Sequence, residues 1–332
     1  MLGTRNVNSD RIAVVLFQLG GPDSLEAIEP FLFNLFMDPD IIDFPFARFV
    51  RRPLARFISS KRSKVVAVNY AAIGGKSPIR DLTNSQAAAL EAELRKTRPA
   101  DVFVAMRYWH PLTSAAAEQV AAGKFSRIVL LPLYPQYSIT TTGSSINEWN
   151  RQRSRVGLEG IRQDIVHHFF DSPGYISAIV ENINAALSRF EGVPANEIQI
   201  VFSAHGVPVS IIERGDPYQR HIEATVQLVV KQGKWKSPHT LCYQSKVGPA
   251  QWLKPSLNET IDKLGAAGAR NVVVVPIAFL TDHIETLHEI NIETRHRAEH
   301  LGIKRFELMP ALNSHPRLIS ALAGEVLRKV SA

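Results

Sequence analysis

The chain carries the same strand-and-turn pattern twice, which limits its possible folds more than any other feature of the sequence. Residues 14–24 begin with apolar side chains and continue with Gly, Pro and Ser, and residues 200–210 repeat that order in register. Residues 128–133 match residues 272–277 in the same way. Because internal repeats reflect similar structural units, the pattern predicts two related halves.

Each half reads as an alternation of apolar strands and helices. Strands that are apolar on both faces are typical of parallel sheets covered by helices, with right-handed connections. A chain of 332 residues is also too long for one comfortable core. We therefore predict an α/β fold of two similar Rossmann-like halves, residues 11–158 and 159–312, with the functional cleft between them. Residues 313–332 are predicted to form a C-terminal helix that packs back on the first half.

Composition argues against several classes of protein. The single cysteine, Cys242, rules out a disulfide framework and a cysteine-ligated cluster. The longest apolar run, residues 272–280, is half as long as a membrane span, and residues 1–10 lack the apolar segment of a signal peptide. The net charge of +7 favours anionic partners. Nucleic acid is not expected among them, because the basic residues form no stripe and no nucleic-acid-binding motif.

Two glycine-rich stretches are similar to nucleotide-binding loops but do not match them. Residues 73–78 read Ile-Gly-Gly-Lys-Ser-Pro, yet Tyr70 stands where a phosphate loop needs glycine, and Pro78 blocks the helix that should follow. Residues 20–22 lack the spacing of a dinucleotide fingerprint. Neither a P-loop enzyme nor a Rossmann dehydrogenase is predicted.

The first half has an insertion, residues 28–64, that is rich in phenylalanine and in basic residues. It holds seven of the sixteen phenylalanines of the chain. Within it, residues 43–64 (the lip) mix aromatic and basic side chains in a way that fits a core poorly. An apolar lip with a cationic rim can rest on an anionic membrane surface. A dimer interface or an internal packing surface is the alternative.

Chemically versatile side chains follow the predicted strands, at the edge where an open sheet binds its ligands. His205 comes directly after one strand and precedes a glycine, which lets the backbone pass close to a ligand. At two further strand ends, aromatic side chains stand near a cation; these residues are Arg107, Tyr108, Tyr243 and Trp252. Such a set suits a large planar ligand that carries carboxylates. A structural histidine and aromatic residues of the core are the alternatives.

The helix predicted from about Thr281 is acidic. Its first three turns carry Asp282, His283, Glu285, Glu289 and Glu293. The three glutamates recur at every fourth position and share one face, where they need a cation or shared protons if they are buried. Together with His205, they offer nitrogen and oxygen ligands to an ion such as Fe²⁺ or Zn²⁺. A solvated acidic face is the alternative.

Seven short motifs, taken together, resemble those of the ferrochelatases, which insert ferrous iron into a porphyrin to make haem. They are QLGGP at 18–22, IGGKSP at 73–78, RYWHP at 107–111, YPQYS at 134–138, SAHG at 203–206, QSKVGP at 244–249 and DHIETL at 282–287. The resemblance extends from Leu16 to about Leu327. It implies a porphyrin cleft between two similar halves, as the repeat also predicts.

The resemblance implies roles for particular residues. His205 and Glu285 correspond to the metal-site pair and, with Glu289, are the predicted catalytic residues. The acidic path behind them comprises Asp282, His283 and Glu293. The predicted porphyrin contacts are Leu19, Arg107, Tyr108, Tyr137, Ser138, Tyr243 and Trp252. Three positions depart from the usual pattern: Ala71 and Ala72 stand where some members have basic residues near a propionate, and Leu19 stands where many members have an aromatic residue or methionine.

The lip is similar to that of the membrane-associated members, whose substrate is protoporphyrin IX. By that resemblance, the chain takes protoporphyrin IX and Fe²⁺ as substrates, accepts Zn²⁺ or Co²⁺ in vitro, and holds no permanent cofactor or iron–sulfur cluster. It is expected in the cytoplasm, with possible contact of residues 43–64 with the inner-membrane surface, as a monomer or homodimer. The alternatives are a coproporphyrin III or cobalt chelatase, and a protein that binds a tetrapyrrole without chemistry.

Overall fold

Eight parallel strands form two sheets in the part of the chain that the computed structural model describes, namely residues 10–41, 47–246, 248 and 250–331. The strands are β1 (Ile12–Gln18), β2 (Ala100–Met106), β3 (Arg127–Pro132), β4 (Arg162–Ile165), β5 (Ile198–His205), β6 (His239–Gln244), β7 (Asn271–Pro276) and β8 (Arg305–Leu308). The first sheet has the order β2-β1-β3-β4, and the second repeats it as β6-β5-β7-β8. The predicted fold of two similar α/β halves is confirmed.

The two sheets correspond residue by residue at their carboxyl edges. β3 and β7 both end in proline, and these prolines pair with Phe17 of β1 and Ser203 of β5. Counting on from those pairs, Leu19 and His205 occupy equivalent places at the ends of the two central strands. This is the correspondence that the repeated sequence pattern predicts.

Helices connect the strands and cover the sheets. They are α1 (Ile28–Met37), α2 (Ala47–Ala72), α3 (Ile79–Arg95), α4 (Thr113–Ala122), α5 (Ser144–Arg155), α6 (Pro173–Leu187), α7 (Val209–Glu213), α8 (Tyr218–Gly233), α9 (Leu257–Ala266), α10 (Arg295–His300) and α11 (Pro316–Ser331). A short 3₁₀-helix spans Ala195–Glu197, and π-helical segments span Ile139–Gly143 and Glu285–Thr294.

One apolar core joins the facing sides of the two sheets. Val14 and Leu16 of β1 and Ile200 and Phe202 of β5 belong to this shared core. The alternate residues of the same strands, such as Val15, pack in separate outer clusters of each half. Because the inner strands β1, β3, β5 and β7 bury both of their faces, their sequences are continuous apolar runs.

The helix that follows each sheet in the chain packs on the other sheet or its helices. α6 follows the first sheet but packs on β7 and α8, whereas α11 follows the second sheet and packs on α3, β3 and β4. Arg127 of β3 donates a hydrogen bond of 3.1 Å to the backbone carbonyl of Lys329 in α11. The first sheet also extends beyond residue 158, at which the predicted first half ends, because β4 pairs in parallel with β3. The halves are therefore interleaved at their ends.

The insertion of the first half forms α1 and α2, which lie between β1 and β2 in the chain. Ile28 and Phe31 of α1 pack with Tyr70 near the end of α2. Of the predicted lip, residues 43–46 and the side chains of residues 47–49 lie outside the described part of the chain. The remainder of the lip belongs to α2.

Candidate active site

His205 is the last residue of β5, at the carboxyl edge of the second sheet. Its Nδ1 atom lies 2.9 Å from Oε2 of Glu285. The rings of Trp252 and Phe279 stand edge-on to the imidazole, with centroid distances of 6.5 and 6.4 Å. The hydroxyl of Tyr218 donates a hydrogen bond of 3.0 Å to the carbonyl oxygen of His205. These contacts fix the position of the imidazole. It is nevertheless 37% exposed, so part of the ring faces solvent.

The glycine after His205 is required by close packing of the backbone. A Cβ atom on Gly206 would lie 3.0 Å from the carbonyl oxygen of Gln244 and 3.2 Å from the ring of Trp252. The N–H of Gly206 donates to that same carbonyl at 2.8 Å. A larger residue would therefore displace the strand end that holds the imidazole.

The predicted acidic helix is a π-helix over Glu285–Thr294, followed by α10. Its hydrogen bonds join residues five apart, a rare arrangement that is frequent at functional sites. The hydroxyl of Ser245, which follows β6, lies 3.3 Å from Oε2 of Glu285 and 2.5 Å from Oε2 of Glu289. The π-helix thus brings two of its three glutamates to one serine beside His205.

Burial and the short imidazole–carboxylate contact determine the charges of this cluster. Burial is the largest single influence and disfavours the charged forms of His205 and Glu285. The charge and hydrogen bond of the partner, together with smaller contributions from neighbouring residues, outweigh it in both cases. The pKa of His205 is therefore raised above 6.5, and the pKa of Glu285 is lowered to about 2. Burial and the negative charge of Glu285 raise the pKa of Glu289. At neutral pH the cluster holds an ionised Glu285 next to His205.

The other residues of the predicted acidic path lie in different surroundings. His283 is buried; its Nδ1 lies 2.9 Å from the carbonyl of Thr281, and its Nε2 lies 4.0 Å from Oε2 of Glu285. The carboxylate of Asp282 accepts hydrogen bonds from the side chains of Thr286 and Asn313, at 3.0 and 2.8 Å. Asp282 thus lies before the π-helix, which begins at Glu285, later than predicted.

Glu293, at the far end of the π-helix, is 56% exposed and lies 3.4 Å from Nδ1 of His288. It has no described contact with Glu285 or Glu289. Of the three residues predicted to form the acidic path, the structure therefore brings only His283 next to the His205–Glu285 pair.

Two of the predicted porphyrin contacts are engaged in a buried network of the first half. The guanidinium of Arg107 lies 3.0 Å from the carboxylate of Asp38 and donates to the hydroxyl of Ser144 at 2.8 Å. The hydroxyl of Tyr108 donates to the same carboxylate at 2.6 Å. Asp38 is completely buried and Arg107 is 11% exposed. The sequence alone does not reveal this pairing, because Asp38 lies in the insertion, far from Arg107 along the chain.

Tyr137 and Ser138, also predicted to contact porphyrin, lie where the two halves meet. Asp216, which is 3% exposed, accepts hydrogen bonds from the Ser138 hydroxyl at 2.9 Å and from the N–H of Ile139 at 2.7 Å. The N–H of Tyr137 donates to Nδ1 of His221 in α8 at 3.2 Å. This loop of the first half is therefore held against the start of α8.

The remaining predicted contacts lie closer to His205. Tyr243 is buried at the end of β6, and Trp252 stands beside the imidazole. Leu19 and Ile73 of the first half and Ile284, which precedes the π-helix, are partly buried and pack against the same apolar cluster of the first half. An apolar wall from the first half thus adjoins the charged cluster of the second.

Three residues of this region were not predicted from the sequence. Phe279 packs against His205 and against His283, with a centroid distance of 4.7 Å to the latter. Tyr70 of α2 is buried, and burial together with the charge of Glu285 raises its pKa. Ser245 contacts both glutamates. All three lie in stretches noted in the sequence analysis, but neither spacing nor residue type marks them as part of the site.

In the described residues, no group of three or more His, Cys, Asp and Glu side chains is arranged to hold a metal ion. The His205–Glu285 pair nevertheless offers one imidazole and one carboxylate, donors that suit a borderline divalent ion. An ion that is a substrate needs to enter and leave, and a pair of ligands meets that need without a closed cage.

The chain has the chelatase fold. It consists of two Rossmann-like halves, each with a parallel sheet, and it places an imidazole and carboxylates at the carboxyl edge of a sheet. Solved chelatases share this fold. SirB from Bacillus subtilis with Fe³⁺ matches 96% of this chain and 95% of its own length, with a TM-score of 0.56 at 14% identity. The sirohydrochlorin chelatase SirB from Bacillus subtilis subspecies spizizenii, in complex with cobalt, matches 97% and 96% with a TM-score of 0.54 at 12% identity.

Sequence comparison identifies the particular family. The family model described as Ferrochelatase matches residues 11–330. Ferrochelatase of Synechocystis sp. is 45% identical over 323 residues, which cover 96% of this chain and 82% of that protein. Ferrochelatase of Nostoc punctiforme is 45% identical over 320 residues, with coverages of 96% and 82%. The chain belongs to the ferrochelatase family and is therefore a metal chelatase, which implies insertion of Fe²⁺ into a porphyrin.

Proposed function

We propose that the chain inserts Fe²⁺ into protoporphyrin IX to give protohaem and two protons, the last step of haem biosynthesis. The observation that carries the proposal is the 2.9 Å contact of His205 with Glu285, at the end of the central strand of the second half. The apolar wall around Leu19 and Ile284 supports it, because a flat macrocycle needs an apolar face beside the groups that exchange protons and metal.

His205 acts as the acceptor of pyrrole protons. Two N–H protons must leave the macrocycle before it can bind a dication. Because Glu285 is ionised, Nδ1 of His205 donates its hydrogen to that carboxylate, and Nε2 is left to accept a proton. The carboxylate then stabilises the imidazolium that forms. Glu289 lies on the far side of Ser245 and can receive a proton in turn.

The metal reaches the ring through the same group of residues. Glu285 is the carboxylate ligand, and the imidazole of His205 is the nitrogen ligand during delivery. One nitrogen cannot hold a metal and a proton at once, so metal contact and proton acceptance by His205 are separate steps. The rigid apolar walls hold a distorted ring, and binding energy offsets a strain of about 1–5 kcal/mol.

The lip supports protoporphyrin IX as the substrate and a site of action at the cytoplasmic membrane surface. α2 exposes Val50, Leu54, Phe57, Val65 and Val68. These positions are three, four or eight residues apart and share one face of the helix over about 27 Å. Basic residues flank them, among them Arg52, Arg56 and Lys64. Within the described residues, no helix is both long and apolar enough to cross a membrane. An amphipathic helix of this kind lies in the plane of an anionic surface.

Phe57→Glu is expected to weaken binding to phosphatidylglycerol vesicles by about tenfold or more, because burying a phenylalanine contributes about 1.5–3 kcal/mol. Vesicle co-sedimentation measures the partition coefficient, and phosphatidylcholine vesicles test the need for negative charge. Leu301→Glu is the matched control, since Leu301 is also exposed but lies in the second half. Equal binding by the two variants would contradict a membrane role for α2.

The proposed activity is tested by the visible spectrum of porphyrin under anaerobic conditions. Adding Fe²⁺ or Zn²⁺ to the protein with protoporphyrin IX is expected to convert the free-base spectrum to that of the metalloporphyrin, at a rate proportional to enzyme concentration. The rates are compared with those for coproporphyrin III as the alternative porphyrin and for Co²⁺ as the alternative metal. Faster turnover of coproporphyrin III, or porphyrin binding without any spectral conversion, would contradict the proposal.

A further inference from the structure

Ser245 links two carboxylates of the candidate active site. It follows the last residue of β6 and has a φ of 65°, in the left-handed region that side chains other than glycine adopt at a cost. Both of its donors reach the same residue: the N–H lies 2.9 Å from Oε1 of Glu289, and the hydroxyl lies 2.5 Å from Oε2. The unusual backbone conformation thus directs two donors at one carboxylate.

A second residue supports the same carboxylate from the strand itself. Nε2 of Gln244 lies 3.4 Å from Oε2 of Glu289, and the hydroxyl of the buried Ser203 donates to Oε1 of Gln244 at 2.7 Å. This bond fixes the amide so that its NH₂ group faces the glutamate. Glu289 is therefore held in place by the ends of β5 and β6, outside its own helix.

The hydroxyl of Ser245 also lies 3.3 Å from Oε2 of Glu285. A hydroxyl has one hydrogen and two lone pairs. It therefore donates fully to one carboxylate at a time, and the shorter distance marks Glu289 as the acceptor, with Glu285 next to the same oxygen. The contacts thus form a continuous chain from Glu289 through Ser245 to Glu285 and His205.

We propose that Ser245 is a positioning residue, which holds the Glu289 carboxylate next to Glu285 so that the two act together during metal insertion. The inference rests on the proposed function. In this role Ser245 contacts neither the porphyrin nor the metal ion. Its effect on turnover is exerted through Glu289, and this dependence separates it from a residue that only supports the fold.

Ser245→Ala and Ser245→Gly are both expected to lower kcat for Zn²⁺ insertion by about tenfold, with the porphyrin KM unchanged, as for partners that orient metal-site ligands. Both variants lack the hydroxyl, but only glycine relieves the backbone at positive φ. A structural role through the backbone predicts that glycine preserves kcat, and that result would overturn the proposal. Thermal melting of each variant shows that it is folded.

A double-mutant cycle with Glu289→Gln gives the decisive comparison. If Ser245 acts through Glu289, adding Ser245→Ala to Glu289→Gln causes no further loss of kcat, because contacting residues are not additive. Losses that multiply would overturn the inference. The wild-type protein in the same assay separates a failure of the proposed function from a failure of the role of Ser245. Absence of insertion by the wild type contradicts the proposed function. Normal insertion by both serine variants contradicts only the role of Ser245.

Discussion

Replacing His205 with alanine is expected to reduce kcat for metal insertion by about 10²–10⁴-fold, the contribution of a positioned general base. The variant loses the only imidazole in direct hydrogen-bond contact with Glu285 among the described residues. Porphyrin affinity is expected to be retained, because the apolar wall around Leu19, Ile73 and Ile284 is untouched. Initial rates of Zn²⁺ insertion measure the first effect, and quenching of protein fluorescence by porphyrin measures the second.

Two further variants make the His205 experiment specific. His205→Asn retains a side-chain N–H that can donate to Glu285 but cannot accept a proton from a pyrrole, so it is expected to be as inactive as alanine. His296→Ala removes an exposed histidine of α10 and is expected to leave turnover unchanged. Turnover near the wild-type value in either His205 variant would refute the role of this residue as proton acceptor.

The fold was predictable because the evidence for it is repeated along the chain. Apolar runs at equivalent places in both halves predict parallel strands, and the alignment of Leu19 with His205 follows from sequence alone. The boundary near residue 158 was less predictable. β4 lies beyond it in the chain but pairs with β3 of the first sheet, and its short, partly polar sequence does not show to which sheet it belongs.

The chemistry of the site was only partly predictable, for reasons of geometry. The spacing of Glu285 and Glu289 is compatible with α- and π-helices alike, so the sequence does not reveal the wider turn that brings both to Ser245. Arg107 reads as a free cation, but its charge is paired with Asp38 from a distant part of the chain. Long-range pairs of this kind depend on the tertiary fold and leave no local pattern.

Glu285→Gln is expected to lower kcat by about 100-fold, in the range for loss of a group that orients and stabilises a general base. It also changes the pH dependence. In the wild type, the Glu285 carboxylate raises the pKa of His205 above 6.5, so that His205 becomes protonated, and unable to accept a proton, at a comparatively high pH. Glutamine carries no charge, so burial then lowers the pKa of His205 with only the weaker influence of Glu289 opposing it.

The acid limb of the pH profile is therefore expected to move to lower pH in Glu285→Gln. The wild-type advantage in kcat/KM is largest at a pH above both His205 pKa values, and it shrinks as pH falls, because the wild-type imidazole is protonated first. Rates of Zn²⁺ insertion from pH 5.5 to 8.5 (a range of about three units around the ordinary histidine pKa) measure the shift. An acid limb that stays in place, or moves to higher pH, would show that His205 is not the group whose protonation limits the reaction, and an unchanged KM for the metal would argue against Glu285 as its ligand.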